Sequence, residues 1–159
     1  METVIIKIAD KELIMDREDF ESLPKNHYFK LDKDGYALVY FYCKETRREE
    51  NVRLSRWVLH NPEHLIVDHI NGIRLDNRKE NLRAVNAKQN AQNSKPRKNS
   101  TSKYKGVCYD KKANKWQAQI KIDGKSTYLG TFTSEEEAAK AYDVASKTAW
   151  GEFAYQNFN

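Results

Sequence analysis

The sequence predicts an α+β chain built as two small modules rather than one ordinary domain. Three observations carry this. Runs of alternating apolar residues flank Asp-Gly turns at Asp34-Gly35 and Asp123-Gly124, the pattern of antiparallel hairpins. A long helix is announced by Ser134 with Glu137 at its start and Gly151 at its end. Between the two regions, residues 94–103 (Ser-Lys-Pro-Arg-Lys-Asn-Ser-Thr-Ser-Lys) contain no apolar side chain and read as a linker. The expected division is therefore 1–93, a linker at 94–103, and 104–159.

In order along the chain, Val4–Ile8 is a β-branched strand that residues 12–15 can pair with, and Asp16–Leu23 is helical until Pro24 stops it. Tyr28–Leu31, the turn Asp32-Lys-Asp-Gly35 and Tyr36–Tyr42 form a hairpin. Val52–His60 has helical spacing and ends at Pro62. Leu65–Ile70 and Leu82–Val85 are short strands around a loop rich in Asn, Asp and Gly, and Asn86 with Gln89 forms a capping box for a helix over 87–93. After the linker come strands at 104–109, 115–122 and 127–132. The second alternates cleanly, with Trp116, Ala118, Ile120 and Ile122 on one face and Lys115, Gln117, Gln119 and Lys121 on the other. Ala138, Tyr142, Ala145 and Ala149 line one face of the final helix, which is expected to cover the Trp116 face. The lysine-and-glutamine face is then left to solvent.

Composition narrows the function. The chain has 159 residues, a net charge of +5 and 11% aromatic residues, too many for a disordered segment. Its longest apolar run, Tyr36–Cys43, is far short of the roughly 20 residues a membrane span needs. The N-terminus lacks the order of a signal peptide. Two distant cysteines exclude a disulfide scaffold and a four-cysteine zinc site, pointing to a soluble protein of a reducing compartment. The charge is concentrated: residues 94–132 carry +8, so the remainder sums to −3. A basic segment of this kind hints at nucleic acid. Lys95, Arg97 and Lys98 of the linker either track along phosphates or simply solvate a tether, and composition leaves both open.

Residues 64–93 bring together groups with a shared chemistry. Asp68 and His69 end a strand, Asn71, Asp76, Asn77 and Asn81 occupy the loop, and Asn90 lies in the first turn of the helix. A carboxylate and an amide can hold one hard cation while leaving room for water and phosphate oxygens. A neighbouring histidine outside the ligand set can deprotonate a water, and an amide can fix its orientation. Each residue alone is more often a turn or packing residue; the ordered set is the signal. His27, His60 and His64 have no such setting and read as surface or packing residues.

The run Val67-Asp-His-Ile-Asn-Gly-Ile-Arg-Leu-Asp-Asn-Arg-Lys-Glu-Asn-Leu-Arg-Ala-Val85, followed by Gln89-Asn-Ala-Gln-Asn93, resembles the HNH endonucleases, and more narrowly the homing endonucleases of phages and bacterial mobile elements. The resemblance implies a ββα-metal fold and metal-dependent cutting of a DNA phosphodiester. It assigns Asp68 and Asn90 as ligands of a divalent metal, Mg²⁺ or alternatively Mn²⁺, His69 as general base and Asn81 as the orienting amide. Ile6-Lys-Ile, Ile14–Phe20, Gly35-Tyr-Ala and Leu54-Ser-Arg-Trp-Val are similar to the leader that precedes this motif, with Ser55 standing where His is usual. Arg53 and Arg56 on that leader either reach phosphates or decorate a helix surface.

Tyr104-Lys-Gly-Val107, Lys115–Lys121, Tyr128-Leu-Gly-Thr-Phe132, Glu136-Glu-Ala-Ala139, Ala141-Tyr-Asp143, Gly151 and Asn157-Phe158 resemble an AP2 domain, whose three-stranded sheet enters the DNA major groove. By that resemblance Lys105, Lys115, Gln117, Gln119, Lys121 and Tyr128 face DNA. The segment has no arginine, with Cys108 and Tyr128 at positions where relatives carry Arg and Trp, and lysine lacks the bidentate fork. Phosphate affinity should therefore outweigh base discrimination. The expected protein is a DNA endonuclease acting on double-stranded DNA in the cytoplasm of a bacterial or phage-infected cell, with no membrane partner and no small-molecule cofactor. The alternative is a non-catalytic DNA-binding regulator with a relict HNH fold.

Overall fold

Val4, Ile6 and Ile8 recur with period two, and this alternation sets strand β1 (Thr3–Ile8) with those residues turned inward. It pairs antiparallel with β2 (Lys11–Asp16), whose Leu13 and Met15 are fully buried. Helix α1 (Arg17–Glu21) follows. A computed structural model of the chain describes residues 2–97 and 99–158. The chain divides into two units, Met1–Ala87 and Lys88–Asn159.

In the N-terminal unit, β3 (Tyr28–Leu31), β4 (Ala37–Cys43) and β5 (Arg48–Arg53) form a sheet in that order. The β3–β4 turn closes on Asp32, whose Oδ1 accepts the N–H groups of Asp34 and Tyr36, and Gly35 takes a positive φ of 84°. Strand β5 departs from the sequence reading, which ran a helix from Val52. Its composition, Arg-Glu-Glu-Asn-Val-Arg, opposes a strand. Pairing with the apolar β4 overrides this, setting Val52 opposite Val39. The charged residues fall on an edge strand, where they discourage further pairing. Helix α2 therefore starts only at Leu54 and runs to Val58.

Strands β6 (Ile66–His69) and β7 (Leu82–Val85) pair antiparallel, with Asp68 opposite Arg83 and His69 opposite Leu82. The core of this unit joins Leu13, Met15, Ala37, Val39, Leu54 and Val58 to Leu82 of β7. The loop between β6 and β7 is stitched to β2: Ile14 N–H donates to Leu75 O (2.8 Å), and Asn77 N–H donates to Ile14 O (2.7 Å).

Helix α3 (Ala87–Asn93) follows, and all but its first residue falls in the C-terminal unit. That differs from the expected division after residue 93, and the cause is a set of bonds made by the helix to the rest of that unit. Tyr155 N–H donates to Gln92 O, and Lys88 pairs with Asp123 at 2.6 Å. Strands β8 (Val107–Asp110), β9 (Lys115–Ile122) and β10 (Lys125–Phe132) form a sheet in the order β10-β9-β8. β8 begins later than the expected Tyr104 because Asn157 bonds both the N–H and the C=O of Lys105 (2.7 and 3.2 Å).

Helix α4 (Glu135–Trp150) starts at Ser134, whose hydroxyl accepts Glu137 N–H. It covers the sheet face bearing Val107 and Ala118, as the alternation predicts. The buried face is Ala138, Ala139, Tyr142, Asp143 and Ser146, whereas Ala149 is exposed. Asp143 rotates the face: its carboxylate accepts Asn157 N–H, Asn157 Nδ2–H and Phe158 N–H within 3.0 Å, so it must lie inward. Among the described residues, no helix is long and apolar enough to cross a membrane.

Gly106 sits at φ 78°, and a Cβ there would fall 1.9 Å from Cδ2 of Tyr142. Gly106→Ala adds an overpacked contact to a left-handed backbone and should destabilise the C-terminal unit by about 2–4 kcal/mol. A lowered urea midpoint for that unit's transition is the expected outcome.

Candidate functional site

Strand β6 ends in two buried polar residues, Asp68 and His69. Asp68 faces its cross-strand partner Arg83, whose Nε and Nη2 donate to Asp68 Oδ2 at 3.0 and 2.9 Å, and both side chains are mostly buried. His69 Nε2 lies 3.4 Å from Asn77 Oδ1. For that contact to be a hydrogen bond Nε2 must carry the proton, so Nδ1 carries the lone pair. Burial pushes the His69 imidazole below its ordinary value. The Asn77 contact and the charges of Asp68 and Asp76 oppose that shift, and the charge of Arg74 adds to it. The net effect favours the neutral base near pH 7.

Asn81, expected beside the imidazole, works elsewhere. Its Oδ1 accepts Asn71 N–H at 3.0 Å and its Nδ2–H donates to Asp76 O at 2.8 Å. It is a buried staple across the loop, and Asn77 (1% exposed) is the amide against His69. The sequence reading placed Asn77 in the loop but gave it no role, because period and spacing cannot say which of several loop amides turns inward. Asp76 is held by the Arg78 fork, with Nε and Nη2 each at 2.8 Å, and by Asn71 Nδ2. This keeps its carboxyl below the usual range, the Arg78 bonds being the largest cause.

The leader also reaches the site. The Tyr36 ring lies 5.8 Å from that of His69. Arg53 Cζ lies 4.3 Å and Arg74 Cζ 4.9 Å from the Tyr36 centroid. Arg56 instead turns inward on backbone and side-chain oxygens of the α2–β6 loop, donating to Asn61 Oδ1, Pro62 O and Leu65 O. His27 packs between Phe20 and Phe29, in line with its reading as a packing residue.

The metal assignment is tested by its donors. Among the described residues, no three of His, Cys, Asp and Glu gather into a cluster that could hold a metal ion. Asp68 in the N-terminal unit and the half-buried Asn90 on α3 in the C-terminal unit are one carboxylate and one amide. A lone carboxylate such as Asp68 suits a hard cation that keeps most of its shell as water and phosphate oxygen, as Mg²⁺ does, and not a closed protein cage.

On the sheet of the C-terminal unit, Lys115, Gln119, Lys121 and Tyr128 are exposed. The Tyr128 hydroxyl bonds Thr131 Oγ1. Gln117 is half-buried and donates to Asp110 Oδ2 at 2.6 Å, which draws its amide away from a ligand and sets a carboxylate on this face. Lys105 departs furthest from expectation. Its Nζ donates to the carbonyls of Ala91, Gln92 and Ser94 at 3.2, 2.7 and 2.7 Å, capping the end of α3. Burial pushes its ammonium down to about 8. Lys95 and Arg97 are exposed and line a groove of about 1350 Å³ with Gln119 and Lys121; Lys98 lies outside the described residues.

Comparison with known proteins separates the two regions. The family model described as HNH endonuclease matches residues 57–92, and the model of the AP2 domain matches residues 102–152. An AP2-like ethylene-responsive transcription factor of Oryza sativa subsp. japonica is 47% identical over 60 residues, which is 36% of this chain and 9% of the relative. An AP2/ERF and B3 domain-containing transcription repressor of Arabidopsis thaliana is 41% identical over 70 residues, 44% of this chain and 19% of the relative. The chain thus spans less than a fifth of the length of these curated relatives, and what it shares with them is similarity to an AP2 DNA-binding domain.

Proposed function

We propose that the chain is a metal-dependent DNA endonuclease whose N-terminal region cuts a phosphodiester while its AP2-like sheet holds double-stranded DNA in the major groove. The observation that carries the reading is His69: a buried imidazole, kept neutral by that burial, beside Asp68 and Asn77 within the segment that matches HNH endonucleases. Residues 1–93, with α3, form the nuclease part in this reading, and residues 94–103 lead into the DNA-binding part.

His69 takes a proton from a water through Nδ1 as the water oxygen bonds to phosphorus. The bond from phosphorus to the 3′ oxygen breaks, giving 5′-phosphate and 3′-hydroxyl ends. Asn77 holds the ring in the competent tautomer, and Asn81 holds the loop that carries Asn77. The resemblance assigns Asp68 and Asn90 to a divalent cation, Mg²⁺ or Mn²⁺, which when bound would supply charge stabilisation at the phosphate and the leaving oxygen. Arg83 donates twice to Oδ2 of Asp68 and so aims that carboxylate. A homing endonuclease of a phage or mobile element, acting in the cytoplasm of its bacterial host, is the specific form of this reading.

The second reading is a DNA-binding regulator without catalysis. It is favoured by the curated relatives, which are named as transcription factors or a transcription repressor, and by the Arg83 guanidinium on Asp68. Supercoiled plasmid carrying the target site, incubated with Mg²⁺ or Mn²⁺, separates the two. Under the first reading it is nicked, and His69→Ala slows nicking by about 10²–10⁴-fold with duplex affinity unchanged. Nicking that survives the substitution removes His69 as the base, and no nicking by the wild type selects the regulator.

The sheet makes a separate prediction. Lys115→Ala and Lys121→Ala should each weaken duplex binding and flatten the dependence of log K on log salt by about one unit for every phosphate no longer neutralised. An unchanged slope with altered base preference would show instead that these lysines read bases.

A further inference from the structure

Residues before position 57 lie outside both matched segments, yet two of them, Tyr36 and Arg53, join Arg74 in a cationic and aromatic cluster beside His69. Tyr36 leads into β4, Arg53 ends β5, and Arg74 belongs to the β6–β7 loop. Both guanidiniums lie within 5 Å of one tyrosine ring, so they are no farther apart than the sum of their distances to it. Two like charges so placed repel unless an anion lies near them.

The anions of the protein answer this need for one arginine only. Asp32 Oδ2 accepts Arg53 Nε and Nη2 at 3.1 and 2.7 Å, and Asp34 Oδ2 is 3.8 Å from Nη2. Among the described residues the Nη1 edge of Arg53 makes no hydrogen bond. Arg74 is exposed, and the only hydrogen bond of its side chain among these residues is from Nη1 to the carbonyl of Asp34. The other carboxylates around the site are committed, Asp68 to Arg83 and Asp76 to Arg78. The cluster therefore keeps unspent guanidinium donors, and among the described residues no carboxylate lies within ion-pair distance of Arg74. The turn and the tyrosine ring hold both side chains in place, so ordering them on a ligand costs little entropy. Planar guanidinium edges match the oxygens of a phosphate.

We propose that Arg53 and Arg74, stacked on Tyr36 beside His69, form a subsite for a DNA backbone phosphate next to the one that is cut. This rests on the reading of His69 as the base of a phosphodiester-cutting site, and it gives the leader a role in substrate binding. A structural role, tying β5 and the β6–β7 loop to the β3–β4 turn, accounts for the Arg53 edge bonded to Asp32 and for the Arg74 bond to Asp34 O, and leaves the remaining guanidinium donors unused.

The test is the salt dependence of full-length protein binding to a short mixed-sequence DNA duplex, measured in EDTA so that no cleavage occurs. Arg74→Ala should weaken binding and reduce the log–log salt slope by about one unit. Arg74→Lys should retain the slope, because an ammonium still neutralises the phosphate, and the urea midpoint of Arg74→Ala should match the wild type. Wild-type affinity and slope in Arg74→Ala would overturn the subsite, as would a slope reduced equally in Arg74→Lys. The nuclease reading fails separately: a wild type that nicks no plasmid, combined with a slope reduced in Arg74→Ala alone, leaves the phosphate subsite standing without catalysis.

Discussion

The loop from Ile70 to Asn81 carries Asn77, the amide that meets His69, and nothing in its own composition fixes its shape. Rich in Asn, Asp and Gly, it would sample many conformations, at a cost of about 1–2 kcal/mol for each residue held still. Strand β2 holds it. Ile14 bonds Leu75 and Asn77 through its backbone, and Asp16 Oδ2 accepts Lys79 N–H at 2.9 Å. Lys79 Nζ pairs with Asp19 of α1 at 2.9 Å. Asn77 can stand against His69 only because its own N–H is tied to Ile14. The leader is in this sense part of the site, although the motif proper begins far downstream of it.

This dependence explains what could be read from the sequence and what could not. Strand β9 and the cap of α4 were legible, because alternation and an N-cap are local properties. The ordered polar set at Asp68, His69 and Asn81 was legible as a pattern. The division of labour between Asn77 and Asn81 was not, since it follows from a backbone bond to Ile14, a residue remote in the chain. Strand β5 was hidden for a related reason: Arg48, Glu49 and Glu50 oppose a strand locally, and only the open edge of β4 makes them one. The tilt of α4 away from Ala149 was set by Asp143, which gathers N–H donors from Asn157 and Phe158 near the end of the chain. A hydrophobic stripe cannot foresee a buried carboxylate.

Lysine occurs throughout the chain, but arginine does not. All nine arginines precede residue 98, and everything basic beyond it is lysine. In the N-terminal unit the guanidiniums are mostly structural: Arg78 and Arg83 hold Asp76 and Asp68, and Arg56 gathers loop carbonyls. Forked donors suit these tasks, since each must satisfy several oxygens in fixed directions. The sheet of the C-terminal unit instead presents ammonium groups that can follow a phosphate as the side chain moves. Such a surface gives affinity and salt dependence more readily than base discrimination.

Lys105 shows how that lysine surface is limited. Three carbonyls converge on its Nζ at the end of α3, a geometry that suits a compact ammonium with three donors and would not suit a planar fork. The last carbonyls of a helix carry partial negative charge and have no partner within the helix, so a cation there stabilises the helix end. A lysine committed in this way is withdrawn from DNA, and Gln117 is withdrawn likewise by Asp110. The charge left to meet phosphates is then Lys115 and Lys121 on the sheet, with Lys95 and Arg97 along the groove beside it. What Lys105 secures in exchange is α3 itself, the helix that bears Asn90.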